Sequence, residues 1–133
     1  MPQFNFHALF AEDVEAGRKT QTVRAERKHA PRVGETAHCF TGLRTAAARV
    51  LGRFPIVAVR PIFIDLDRTV TITETGDPNA VYHRRPLAGD ELEAFARADG
   101  FETAAEFLGW IEETHRLPFE GTVTYWQFVE GTS

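Results

Sequence analysis

This sequence predicts a small mixed α+β domain: a β-barrel of five to six strands with short helices packed on it. Three observations carry that prediction. Stretches such as Val70-Thr71-Ile72-Thr73 alternate apolar and polar side chains, the pattern of a half-buried strand. Other stretches repeat apolar residues at helical spacing and end in glycine. The chain has 133 residues, 43% of them hydrophobic and eleven of them Phe, which suffices for one packed core and argues against disorder. A single domain over residues 1–133 is expected.

The elements follow in order. Gln3 to Phe6 reads as a short strand, and Ala8 to Ala16 as a helix with Leu9, Phe10 and Val14 apolar, stopped by Gly17. Lys19 to Arg24 reads as a strand, Ala25 to Gly34 as a charged loop containing Pro31, and Glu35 to Thr41 as a strand ended by Gly42. Phe54 to Leu66 is β-branched and aromatic, with Pro55 and Pro61 implying an edge, a bulge or two joined strands. Thr69 to Glu74 is a strand, Gly76-Asp77-Pro78-Asn79 a turn, and Ala80 to Arg85 a short returning strand. Asp90 to Ala98 carries Leu92, Phe95 and Ala96 on one helical stripe and stops at Gly100. Thr103-x-x-Glu106 is a capping box that opens a helix with Ala104, Phe107, Leu108 and Ile111 on one face. Gly121 to Val129 closes the chain as an aromatic-rich strand.

Composition narrows the function classes. The only serine is Ser133, so a Ser-His-Asp hydrolase is excluded. No GxGxxG or Walker loop is present, and the five His residues show no paired metal-ligand spacing. Cys39 is alone, so neither a disulfide framework nor a Cys-based metal site is expected. No cofactor and no metal are expected. No apolar run approaches membrane-spanning length and no signal-peptide pattern is visible, so no membrane partner and a cytoplasmic location are expected. The net charge of −4 conceals an uneven distribution. Residues 18 to 68 hold eleven Arg/Lys against four Asp/Glu, whereas 86 to 133 hold two against ten. A local basic surface for a nucleotide or a short single strand fits this pattern, and so do two halves that merely complement each other in charge.

The segment densest in chemistry is Gly17-Arg18-Lys19-Thr20-Gln21-Thr22-Val23-Arg24, which supplies an amine, hydroxyls, an amide and guanidinium groups. Thirteen of the fifteen basic residues are Arg, and only Lys19 and Lys28 are Lys. Lys19 is therefore a place where a chain that prefers Arg kept the side chain that burial is able to deprotonate. Thr20, Thr22 and Arg24 share one face of a regular strand and present hydrogen-bonding groups there. Lys19 and Thr22 differ by three, so a bulge or bent strand start is needed to bring both into one cleft. Arg27, Lys28, His29 and Arg32 form a basic loop able to contact phosphates or simply to be solvated. Trp110 and Trp126 read as core aromatics, and Tyr82 to Arg85 as an exposed loop.

The pattern Gly17-Arg18-Lys19-Thr20-x-Thr22-x-Arg24, then a basic loop and Val33-Gly34-Glu35-Thr36, resembles the N-terminal signature of the ASCH domain family. Ala98-Asp99-Gly100-Phe101 before a helix containing Glu106-Phe107 resembles the family's second landmark. The resemblance spans about Phe4 to Phe128. It implies a PUA-like β-barrel associated with RNA, and a loop rather than a helix at Leu43 to Leu51, where the alanines favour helix. Related proteins remove the acetyl group from N4-acetylcytidine with a Lys, a Thr and a Glu; here these fall on Lys19, Thr22 and, with Asp replacing Glu, Asp99. The implied mechanism has a neutral Lys19 deprotonate Thr22, which attacks the amide carbonyl, while a proton passes to the leaving nitrogen. Asp99 then orients Lys19 or shuttles the proton.

Two readings follow. In the first the chain is a recognition module for RNA or a modified cytidine nucleoside, with Arg18, Thr20, Arg24, Arg27 and Lys28 contacting the ligand. In the second it is an amidohydrolase acting on N4-acylated cytidine through Lys19, Thr22 and Asp99. Ribonuclease activity is a weaker third, since no paired-His signature accompanies it.

Overall fold

In the computed structural model, residues 2–27, 29–74 and 83–130 are described. The expected turn at Gly76 to Asn79, and the candidate residues Lys28 and Tyr82, lie outside them. Seven strands and three helices alternate among the described residues: β1 (Gln3–Phe6), α1 (Ala8–Ala16), β2 (Gln21–Ala25), β3 (Thr36–Thr41), β4 (Arg49–Ile64), β5 (Val70–Glu74), β6 (His83–Leu87), α2 (Gly89–Ala98), α3 (Ala104–His115) and β7 (Phe119–Trp126). The domain is mixed α/β, and strand pairing runs β1-β3-β4-β5-β6, with β7 pairing β2 and β4.

The chain divides into two compact units, residues 1–22, 29–59 and 124–133, and residues 23–28 and 60–123. In the first unit β1 lies parallel to β3, with Phe4 beside Cys39, and β3 runs antiparallel to the first half of β4. Alternation turns Phe4, Phe6, Ala37, Cys39, Phe54 and Ile56 to one side, where Ala11 and Val14 of α1 and Trp126 complete the core. Trp126 stacks on Phe54 at 6.1 Å and meets Phe6 edge-on at 6.0 Å. Residues 42–48 are turns, and the strand starts at Arg49. The alanine run does not make a helix: Thr45 Oγ1 bonds the carbonyl of Gly42 at 2.6 Å and receives the N–H of Ala47 at 3.1 Å, the local competition that short hydroxyl side chains bring.

In the second unit the end of β4 pairs with β5 and β5 with β6, both antiparallel. Ile62, Ile64, Val70, Ile72 and Leu87 are buried. Phe95 on α2 meets Phe107 on α3 edge-on at 5.5 Å. Thr103 caps α3 by accepting the Glu106 N–H at 3.1 Å, whereas the Glu106 carboxylate accepts from Glu102, so half of the expected capping box is made. Glu93 adds to the cap by accepting the Ala104 N–H at 3.0 Å. Pro55 and Pro61 both sit inside β4, exposed, in one 16-residue strand that pairs with β3 before Pro61 and with β5 after it. That is the joined-strand alternative, realised without a break.

Candidate functional site

Helix α1 delivers the segment that the sequence singled out. It stops at Gly17, whose φ of 80° is left-handed. The Asp13 carbonyl then accepts both the Arg18 N–H at 2.9 Å and the Lys19 N–H at 3.0 Å. Lys19 therefore belongs to the helix exit, and β2 begins only at Gln21, two residues later than the sequence led us to expect. Thr20 bridges the two, its carbonyl accepting the Trp126 N–H at 3.0 Å. With Lys19 and Thr20 outside the strand, strict alternation no longer sends Lys19 and Thr22 to opposite faces.

The segment is buried out of proportion to its polarity. Lys19, Gln21 and Thr22 are each 3% exposed, and Thr124 is 1% exposed. The Lys19 Nζ lies 5.2 Å from the centre of the Phe10 ring and 5.5 Å from that of Phe6. A ring face returns about 0.5–2 kcal/mol to an ammonium. Removing that ammonium from water costs several kcal/mol. The two rings alone do not offset the burial. Trp126, in the same aromatic cluster as Phe6, holds its indole Nε1 buried with no protein hydrogen-bond partner among the described residues.

The other sequence-derived candidates are distributed as follows. Arg18 is largely solvent-exposed and bonds Asp13 through Nε at 2.7 Å, with Glu12 at 3.9 Å. Its guanidinium is thereby engaged on α1. Thr20 is half-buried. Arg24 and Arg27 belong to the second unit, Arg24 half-buried and Arg27 exposed. There the Arg24 carbonyl sits so close to Gly121 that a Cβ on the glycine would lie 2.2 Å from it. Burial and, less strongly, the Arg24 charge hold His115 below its ordinary value of 6.5. Asp99, also in the second unit, caps α2 with its N–H on the carbonyls of Phe95 and Ala96, each at 3.1 Å, and is 4% exposed. A carboxylate there opposes the helix dipole and is buried as well.

Sequence reasoning missed the burial of Gln21 and Thr124 and the two rings around Lys19. A signal existed for Phe10: it is one turn ahead of Val14 on the apolar side of α1, and the helix ends three residues before Lys19. Nothing local marks Thr124, whose burial depends on pairing between distant strands.

No family model matches the chain, and no curated protein or solved structure matches it. Among the described residues no group of three or more His, Cys, Asp or Glu is placed to hold a metal ion, and no helix is long and apolar enough to cross a membrane.

Proposed function

We propose that residues 17–22 build a recognition site for a nucleoside-like ligand, in a domain of PUA-like, ASCH type whose strands close into a barrel. The observation that carries this reading is the burial of Lys19, Gln21 and Thr22, each 3% exposed, in a stretch of four residues. An ammonium, an amide and a hydroxyl enclosed this closely suit a small ligand with several donors and acceptors. They suit an extended phosphate backbone less well, since phosphate contacts come mainly from exposed Arg and Lys. The rings of Phe6 and Phe10 beside Nζ add flat apolar surface, as a nucleobase site requires. The test is calorimetric titration with cytidine and N4-acetylcytidine. Binding is expected in the wild type and a loss of at least about tenfold in Lys19→Met, which keeps chain length and removes the charge-assisted bond. Equal affinity in the two proteins would remove Lys19 from the site.

One observation favours the amidohydrolase as a second reading. Lys19 and Thr22, the base and the nucleophile of that chemistry, lie three residues apart and are both buried, each 3% exposed. In that chemistry the Lys19 amine takes the Thr22 hydroxyl proton, Thr22 Oγ1 bonds the acyl carbon, and the C–N bond breaks as a proton reaches the departing cytidine amine. Water then releases the acyl group from Thr22. Asp99 is the carboxylate that the family resemblance assigns to this reaction. Release of cytidine from N4-acetylcytidine separates the readings: Lys19→Arg abolishes turnover, because Arg does not act as a base, and preserves much of the binding.

A further inference from the structure

Strand β7 brings a further donor group to residues 17–22. Its Trp126 N–H bonds the Thr20 carbonyl at 3.0 Å, which ties the end of β7 to the residue just before β2. Gly121 lies against the Arg24 carbonyl towards the other end, so the two strands run antiparallel. Counting two residues along each from the Thr20 contact places Thr124 opposite Thr22. Thr124 is 1% exposed, and alternation puts its side chain on the same face of β7 as Trp126.

Trp126 is 3% exposed, and its indole Nε1 is buried with no hydrogen-bond partner among the described residues. Its surroundings explain why. Phe54 stacks on the indole at 6.1 Å, Phe6 meets it edge-on at 6.0 Å, and Phe4 lies at 6.4 Å. These rings offer no oxygen or nitrogen acceptor, and a π face is a weak substitute for one. Indole Nε1 is a donor only. Burying it unpaired costs about 1–3 kcal/mol, a cost that Phe at this position would not carry. Phe6 also lies 5.5 Å from the Lys19 Nζ. One ring therefore touches both the unpaired indole and the amine at the centre of the site.

We propose that Trp126 Nε1 is a ligand-binding donor, which takes a carbonyl oxygen on the base of the bound nucleoside as the Phe6 ring turns aside. This inference rests on the reading of residues 17–22 as a nucleoside site, and it fixes which edge of the base faces β7. A donor-only group requires an acceptor there, so an exocyclic amine is excluded from that position. In cytidine the C2 carbonyl supplies the oxygen. The cost of the unpaired indole is already present in the free protein, so the ligand that relieves it gains affinity.

The test is calorimetric titration of wild type and Trp126→Phe with cytidine and with 2-thiocytidine, in which sulfur, a poor acceptor, replaces the C2 carbonyl oxygen. Wild type is expected to bind cytidine about three- to tenfold more tightly than 2-thiocytidine, the worth of one net hydrogen bond. Trp126→Phe weakens cytidine binding by a similar factor and binds the two nucleosides alike. Trp110→Phe, in the second unit, behaves as wild type. Equal binding of the two nucleosides by wild type, or a preference that persists in Trp126→Phe, overturns the inference; if Lys19→Met still loses cytidine, the reading of residues 17–22 stands. Absence of cytidine binding to wild type overturns that reading and this inference with it. Should Trp126→Phe fail to fold, the Trp126 indole resonance of wild type in 1H–15N NMR decides. A downfield shift with cytidine that 2-thiocytidine does not reproduce supports the assignment, and an indole proton unmoved by bound cytidine overturns it.

Discussion

Gly17→Ala is the substitution whose effect the structure specifies best, because two separable penalties meet there. Gly17 is left-handed, with φ of 80°, a conformation that costs a residue with a Cβ about 1–2 kcal/mol. The added Cβ would also lie 2.7, 2.9 and 3.0 Å from three carbons of the Phe128 ring, closer than real Cβ atoms approach. Phe128 packs against the first unit's core, so moving its ring costs a further 1–3 kcal/mol or so, the usual range for overpacking. Together these destabilise by about 2–5 kcal/mol and lower the melting temperature of a chain this size by roughly 8–20 °C. Urea denaturation reads the free energy directly. Repeating Gly17→Ala in a Phe128→Ala background removes the collision and leaves only the backbone part, about 1–2 kcal/mol. A Gly17→Ala protein within 0.5 kcal/mol or so of wild type, or an equal loss in both backgrounds, refutes the reasoning. The site is coupled to this turn. The Arg18 and Lys19 N–H groups bond the Asp13 carbonyl immediately beyond Gly17, so ligand affinity falls with the substitution as well.

Other predictions concern the second unit. Gly121→Ala places a Cβ 2.2 Å from the Arg24 carbonyl, a backbone atom that cannot rotate away, and should destabilise by about 3 kcal/mol in urea titration. A neutral outcome would mean that the Arg24 backbone and Gly121 do not approach this closely. His115 is held below 6.5, chiefly by burial, so the unfolded chain binds more protons just below that pH. Its contribution to stability is complete above pH 6.5 and is lost as pH falls through its lowered folded value. Urea midpoints of wild type and His115→Gln should therefore diverge between neutral and mildly acidic pH; parallel curves would contradict this. Arg85 bonds both Glu74 and Glu91, and its hydrogen bond keeps Glu74 below the ordinary carboxylate value. Arg85→Met should return the Glu74 titration, followed by carbon-detected NMR, towards that ordinary value.

Much of this architecture is legible in local sequence, and the exceptions have identifiable physics. The bounds of β1 and α1, and the helix stop at Gly17, follow from short-range rules: alternation, periodicity and the left-handed tolerance of glycine. The capping function of Thr103 is equally local. The helix-or-loop ambiguity over Leu43 to Leu51 was settled by tertiary pairing: Phe40 with Val50 and Thr41 with Arg49 draw the end of that stretch into β4. Propensity gives way wherever a strand partner is available. At the site, Lys19 stood out because of its type in an Arg-rich chain. Its departure from the strand did not, because the two N–H bonds to Asp13 depend on how α1 ends in three dimensions. The burial of Gln21 and Thr124 is likewise a property of pairing between β2 and β7, separated by about a hundred residues.

The most direct test of the central claim is a two-dimensional 1H–15N NMR titration of the full chain with N4-acetylcytidine. The account predicts saturable shifts concentrated on the amides of residues 17–22 and on Thr124, together with the Trp126 indole, and their loss in Lys19→Met. A spectrum unchanged at saturating ligand, or shifts confined to residues elsewhere in the chain, would contradict it.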